Sequence, residues 1–99
     1  MSGFVYIIQA NDYFKIGKTF GSIKNRIKVL QTGCPFKMNL VAFYKGDDYS
    51  KVEHELHKVC TNYGCHVNLE WFSLNNMIDF FQTIEIDYDF IVDYENLNK

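Results

Sequence analysis

The sequence predicts an α+β domain in which a small three-stranded antiparallel sheet is flanked by helices. Three observations predict it. Residues 4–8 and 13–19 are β-prone segments separated by a turn at Asn11 and Asp12. Ile23, Ile27 and Leu30, and later Tyr49, Val52, Leu56 and Val59, recur at the spacing of one helix face. Between those two helical stretches lies a further β-prone run, residues 39–44. Elements mixed in this way make layers, with helices packed on a sheet.

The first hairpin sets its own register. A two-residue loop at Asn11-Asp12 puts Ala10 opposite Tyr13, Ile8 opposite Lys15 and Tyr6 opposite Gly17. Strand alternation then places Phe4, Tyr6 and Ile8 on one face with Tyr13, Lys15 and Gly17. Val5 and Ile7 share the other face with Phe14 and Ile16. A three-residue loop would undo this pairing.

Ser22 reads as the N-cap of the first helix and Gly33 as its stop, with Arg26 at the edge of the apolar stripe. Pro35 opens the approach to the third strand. Gly46, Asp47 and Asp48 make a turn, and Asp48 is placed to cap a helix over residues 49–60. Glu53 and His57 lie one helical turn apart on the flank of its buried stripe. Residues 61–68 read as a loop, 70–74 as a short extended piece and 75–83 as a helix. Residues 1–83 are thus taken as the domain. Residues 84–99 form an acidic-aromatic tail that alternates acids with Ile, Tyr and Phe. A strand, a helix and an ordered arm all stay open for it.

Composition bounds the function. The chain has 99 residues, 47% of them apolar, with sixteen Phe and Tyr besides Trp71, which is enough for one folded core. No apolar run approaches the ~18 residues of a membrane span. The start lacks a basic segment and a cleavage site, so an intracellular location, cytoplasmic or nuclear, is expected rather than secretion. Three cysteines, an odd number, argue for reduced thiols over a disulfide framework.

The net charge of −2 conceals an asymmetry. Residues 1–69 hold nine Lys or Arg against five acids, and residues 70–99 hold Lys99 against seven. Lys15, Lys18, Lys24, Arg26 and Lys28 follow one another with no acid between them. Such a patch suits a phosphate backbone, although most charge clusters are only solvated surface.

Several blocks recur in a recognisable order. They are Val5-Tyr6-Ile7-Ile8, Phe14-Lys15-Ile16-Gly17-Lys18-Thr19, Arg26 with Leu30-Gln31-Thr32-Gly33, Glu53 with Leu56-His57, and Glu70-Trp71-Phe72. Together they resemble the GIY-YIG nuclease superfamily and, within it, the T5 Orf172 or Mug113-type branch, over residues 3–74. The resemblance implies a GIY-YIG-like fold and a metal-dependent endonuclease acting on DNA. It implies that Glu53 holds Mg²⁺ or Mn²⁺, that Tyr6 orients or deprotonates the attacking water, and that Arg26 and Lys15 meet the charge on phosphorus. His57 recurs in this branch. It either orients the water, protonates the leaving oxygen or is structural.

The residue chemistry agrees. Phosphodiester hydrolysis needs an activated water, a hard cation and a neutraliser of the charge that builds on phosphorus. One carboxylate can hold Mg²⁺, because that ion keeps several waters. Arg26 is the only arginine beside nine lysines, and its planar fork grips phosphate oxygens by two bonds. Gly17 leaves space opposite Tyr6. Lys18, Lys24 and Lys28 are candidate DNA-backbone contacts. Against each stands a plainer reading: a boundary glutamate, one of seven tyrosines, an arginine placed by chance.

Three departures bear on turnover. The second motif reads Lys15-Ile16-Gly17 where the family has Tyr, the first has Phe4 in place of glycine, and Leu30 stands where a histidine is often found. Lys15 either binds the scissile phosphate or holds a proton. A DNA-binding module without cleavage is therefore the alternative, and an acidic tail that binds a basic partner or covers the basic face is a third reading. A nuclease this small is expected to draw specificity from a homodimer or a protein partner. Zinc on Cys60 and Cys65 with His57 or His66 is a weak signal, since lone thiols in small domains are more often buried and inert. Glu70-Trp71-Phe72 reads as a core plug near the site.

Overall fold

The computed structural model describes residues 2–68, 71–74 and 76–98, with backbone alone at 65–68 and 98. Glu70 and the Cys65 and His66 side chains lie outside the described parts. The hairpin forms in the expected register: β1 (Gly3–Ala10) runs antiparallel to β2 (Tyr13–Thr19), with Tyr6 facing Gly17 and Ile8 facing Lys15. Asn11 takes the left-handed region at φ 57°, which asparagine tolerates and the tight loop requires. β3 (Met38–Gly46) pairs antiparallel with the other edge of β1, with a register irregularity between Ile7 and Ile8. β1 is thus flanked on both sides, and seven of its eight residues are buried.

The expectation of three strands is overturned. Among the described residues the sheet has six strands in the order β4-β5-β2-β1-β3-β6, adding β4 (Gly64–Asn68), β5 (Trp71–Leu74) and β6 (Ile91–Val92). All the pairings are antiparallel. Five strands have four residues or more, and β6 has two. The expected loop at 61–68 fails at both ends: the preceding helix runs on to Tyr63, and the alternation of Cys65 and Val67 with His66 and Asn68 is too short to mark a strand by itself. Its partner, β5, supplies the ladder instead, and Phe72 and Trp71 join it to Phe14 and Lys15 of β2. Gly64 lies directly against the Ser73 carbonyl, where any Cβ would overlap.

The helices cover both faces. α1 (Ile23–Gln31) lays Ile23, Ile27 and Leu30 against Tyr6, Ile8, Ala10 and Met38. α2 (Tyr49–Tyr63) and α3 (Met77–Tyr88) pack on the opposite face, where Val52, Leu56, Phe80, Phe81 and Ile84 meet Val5, Ile7, Phe14 and Ile16. Asp48 takes the N-cap position of α2 as expected, but its carboxylate makes no capping bond and accepts instead from the Tyr44 hydroxyl at 2.5 Å. That bond, with the burial and nearby acids it brings, raises the Tyr44 pKa. α3 continues through residues 83 and 84, and Phe90 and Leu97 enter the same core. The Asp93 N–H donates to the Val41 carbonyl at 2.8 Å and Asn96 Nδ2 to the Leu40 carbonyl at 2.9 Å, which fixes the final segment along β3. No helix among the described residues is long and apolar enough to cross a membrane.

Candidate functional site

The site is built from the centre of the sheet outward. Tyr6 and Gly17 are cross-strand partners, and the Tyr6 ring lies so close over Gly17 that a Cβ there would overlap its Oη and Cζ. Arg26 arrives from α1. The Ser22 hydroxyl oxygen caps that helix by accepting from the Asn25 N–H at 3.2 Å, and the Arg26 N–H closes the first turn on the Ser22 carbonyl at 3.1 Å. Arg26 Nε then donates to Tyr6 Oη at 3.4 Å. Tyr6 is 1% exposed, so the arginine is held by a hydroxyl fixed in the core.

Arg26 also lines an open groove of about 410 Å³ with Lys18, Thr19, Phe20, Tyr49 and Ser50. Lys18 Nζ donates to Ser50 Oγ at 3.3 Å across it, tying the end of β2 to the start of α2. Tyr49 is seated over Gly3, whose missing side chain makes room for the ring. The first turn of α2 carries no acid, but Asp47 and Asp48 stand immediately before it and offset the positive end of its dipole. Two cations and a hydroxyl, from Lys18, Arg26 and Ser50, converge on a shape open to solvent, an arrangement that favours anions.

Glu53 and His57 sit elsewhere. Glu53 Oε2 is 3.1 Å from His57 Nε2, and their side chains are 16% and 28% exposed. The His57 ring packs 5.4 Å from that of Phe72. The buried stripe of α2 packs on the sheet face opposite Tyr6, and the pair lies on the flank of that stripe. Glu53 follows Tyr49 and Ser50 by one turn on the same side of α2, beyond the groove rather than lining it.

The sequence-predicted residues thus divide. Tyr6, Gly17 and Arg26 form one cluster, joined by Lys18 through the groove. Glu53 and His57 form a second. Lys15 shares the strand face of Gly17 and does not line the groove; its Nζ is 5.8 Å from the Trp71 ring centroid, in a cation–π arrangement. Lys24 and Lys28 are exposed on α1 and do not line the groove. Phe72 is buried and Trp71 half-buried against the α1 side. Phe20 and Ser50 carry no expectation from sequence, whereas Thr19 belongs to the second motif block and Tyr49 to the apolar stripe of α2. An aromatic residue standing between two basic ones, Lys18 and Arg26, was the available signal for Phe20.

Among the described residues no group of three or more His, Cys, Asp or Glu is placed to hold a metal. Cys60 is buried in the core, and burial pushes its thiol up to about 12. A thiol in that state is neither a ready metal ligand nor a nucleophile. In the folded protein near pH 8, Cys60 is expected to be alkylated at least ~10-fold more slowly than the partly exposed Cys34. Site-resolved mass spectrometry after a timed iodoacetamide pulse checks this; comparable labelling would mean that the helix opens readily.

A model of the T5orf172 domain matches residues 3–86. Comparison with curated proteins and with solved structures returns no match. The match covers most of the chain, and the chain belongs to the T5orf172 domain family.

Proposed function

We propose that this T5orf172-family chain is a Mg²⁺- or Mn²⁺-dependent endonuclease that hydrolyses DNA phosphodiester bonds at the groove between α1 and α2. The observation that carries the reading is Arg26, the single arginine, anchored on buried Tyr6 and facing a groove shared with Lys18. A guanidinium already held by a fixed hydroxyl meets a phosphate at lower entropic cost than an unrestrained side chain.

The metal fits one carboxylate. Glu53 Oε2 is engaged by His57, while Oε1 has no hydrogen bond among the described residues. That suits Mg²⁺, which takes one or two carboxylates and fills its sphere with water and phosphate oxygens. A cation bound there supplies an acidified water and positive charge at the phosphoryl oxygens. His57 holds the Glu53 carboxylate in place. Arg26 neutralises the phosphate and Lys18 binds an adjoining one. Lys24 and Lys28 extend the positive surface for flanking backbone.

Tyr6 is reassigned within this proposal. Tyr6 is buried as a residue and its hydroxyl is engaged by Arg26, so it is given the role of positioning Arg26. Lys15, paired with Trp71, is given no step. DNA is the proposed partner, and a second copy or another protein supplies specificity.

One observation favours a second reading: Glu53 does not line the groove that holds Arg26. On that reading the chain binds DNA without cutting it. Arg26→Lys tests the first reading. It keeps the charge and removes the fork, so nicking of supercoiled DNA is expected to fall ~10- to 100-fold. Duplex affinity is expected to change less than that, and to fall with salt as phosphate contacts dictate. Undiminished nicking by Arg26→Lys would remove Arg26 from the chemistry.

A further inference from the structure

Phe20 is 70% exposed and belongs to neither core cluster, yet it forms a wall of the groove with Lys18 and Arg26. A single exposed aromatic is ordinary on a protein surface. This one differs in how it is held. The Thr19 hydroxyl oxygen accepts from the Gly21 N–H at 3.1 Å, closing a turn around residue 20, and the Ser22 cap fixes the next step. The backbone therefore presents the ring at one place, between the end of β2 and the start of α1. An apolar ring left in water gains nothing from packing there. Beside cations that track a phosphate backbone, a ring gains by stacking on a base. Fully paired bases are already stacked on their neighbours, so an unpaired base is the one available to it.

We infer that Phe20 is a stacking platform for an unpaired base, and that the groove takes DNA carrying unpaired nucleotides, such as a gap, fork or single strand, in preference to uninterrupted duplex. The inference rests on the reading that the groove binds DNA, and deepens it by naming the substrate class. The phosphates flanking the unpaired nucleotide lie against Arg26 and Lys18, and its base lies on the Phe20 ring. Phe36 serves as the contrast. It is also exposed and next to a lysine, Lys37, but it lines a separate hollow with Asn11, Asn39 and Asn96 near the other end of the hairpin, away from Arg26.

The experiment measures binding of the full chain, without divalent metal, by fluorescence anisotropy. One probe is a short uninterrupted duplex and the other is the same duplex with a few unpaired nucleotides. Wild type, Phe20→Leu, Phe20→Tyr and Phe36→Leu are compared. Wild type is expected to bind the gapped probe more tightly. Phe20→Leu is expected to lose ~5- to 50-fold on that probe and to stay within ~2-fold on duplex. Phe20→Tyr and Phe36→Leu are expected to match wild type. Equal affinity of wild type for the two probes, or a Phe20→Leu loss that is absent or the same on both, overturns the inference while leaving DNA binding in place. Binding of wild type to neither probe overturns the groove reading as well.

Discussion

Gly17→Ala is expected to destabilise the chain by about 1–3 kcal/mol and to weaken DNA binding together with stability. The new methyl group would occupy the space of the Tyr6 hydroxyl end. A flexible chain end would move aside, but Tyr6 is a planar ring in the central strand, packed in the cluster that α1 covers. Overpacking therefore forces either the ring or the β1–β2 pairing to shift. At about 4–8 °C for each kcal/mol in a domain of this size, the melting temperature drops visibly. The displaced Tyr6 oxygen also ceases to hold Arg26. Gly21→Ala is the control, because the nearest atom to its added carbon is Thr19 Oγ1 at 3.8 Å. Thermal melts and DNA affinity of the two variants side by side check this. A Gly17→Ala protein that melts and binds as wild type would show that the ring has room to turn, and that its contact with Arg26 is dispensable.

Leu97→Ala is expected to cost about 2–5 kcal/mol, the range for a large aliphatic residue removed from a core. Leu97 is fully buried although it is the third residue from the end of the chain, and it shares a cluster with Phe90, Ile84, Val41 and Phe81. Ile86→Ala, at a position 77% exposed on α3, is expected to change stability by less than about 0.5 kcal/mol. Denaturant melts of the two variants decide whether the last residues are structural. Similar midpoints would mean that this segment contributes little. The same packing bears on the idea of an acidic tail over the basic face. Removing residues 84–99 would take Ile84, Phe90 and Leu97 out of the core, so its effect on DNA affinity would report unfolding. Neutralising Glu85 and Asp87, both exposed on α3, asks the charge question without that confusion.

Where local chemistry decides structure, the sequence was readable. Asn11 and Asp12 fixed the hairpin and with it the Tyr6–Gly17 pairing on which the site stands. Ser22 caps α1 as expected, and Gly33 takes φ 81° beyond its end. Where a distant partner decides, it was not. β4 is short, with only two apolar residues in alternation, and its pairing with β5 makes it a strand. In residues 84–88 the acids and apolar residues alternate as in a strand, yet α3 runs through them. Ile84 is buried with Phe80 and Phe81 at helical spacing, and Ile86 is left in solvent as the consequence. The candidate site divided for a related reason. A sequence orders Tyr6, Lys15, Arg26, Glu53 and His57 along one line and does not say which sheet face each helix covers. α1 brought Arg26 to Tyr6, while Glu53 and His57 paired with each other on the flank of α2 and do not line the groove. Phe20, Tyr49 and Ser50 became neighbours only because both helices begin near the end of β2.

The central claim is metal-dependent cleavage at this groove, and nicking of supercoiled DNA tests it most directly. Wild type and Glu53→Ala are incubated with Mg²⁺, with Mn²⁺ and with chelator, and their DNA affinity is measured in parallel. The account predicts nicking by wild type that needs the cation, and a loss of at least ~100-fold in Glu53→Ala while affinity for the same DNA is retained. Metal-independent nicking, equal nicking by both proteins, or binding without any nicking would contradict it, and the last result would leave a DNA-binding module of the T5orf172 family.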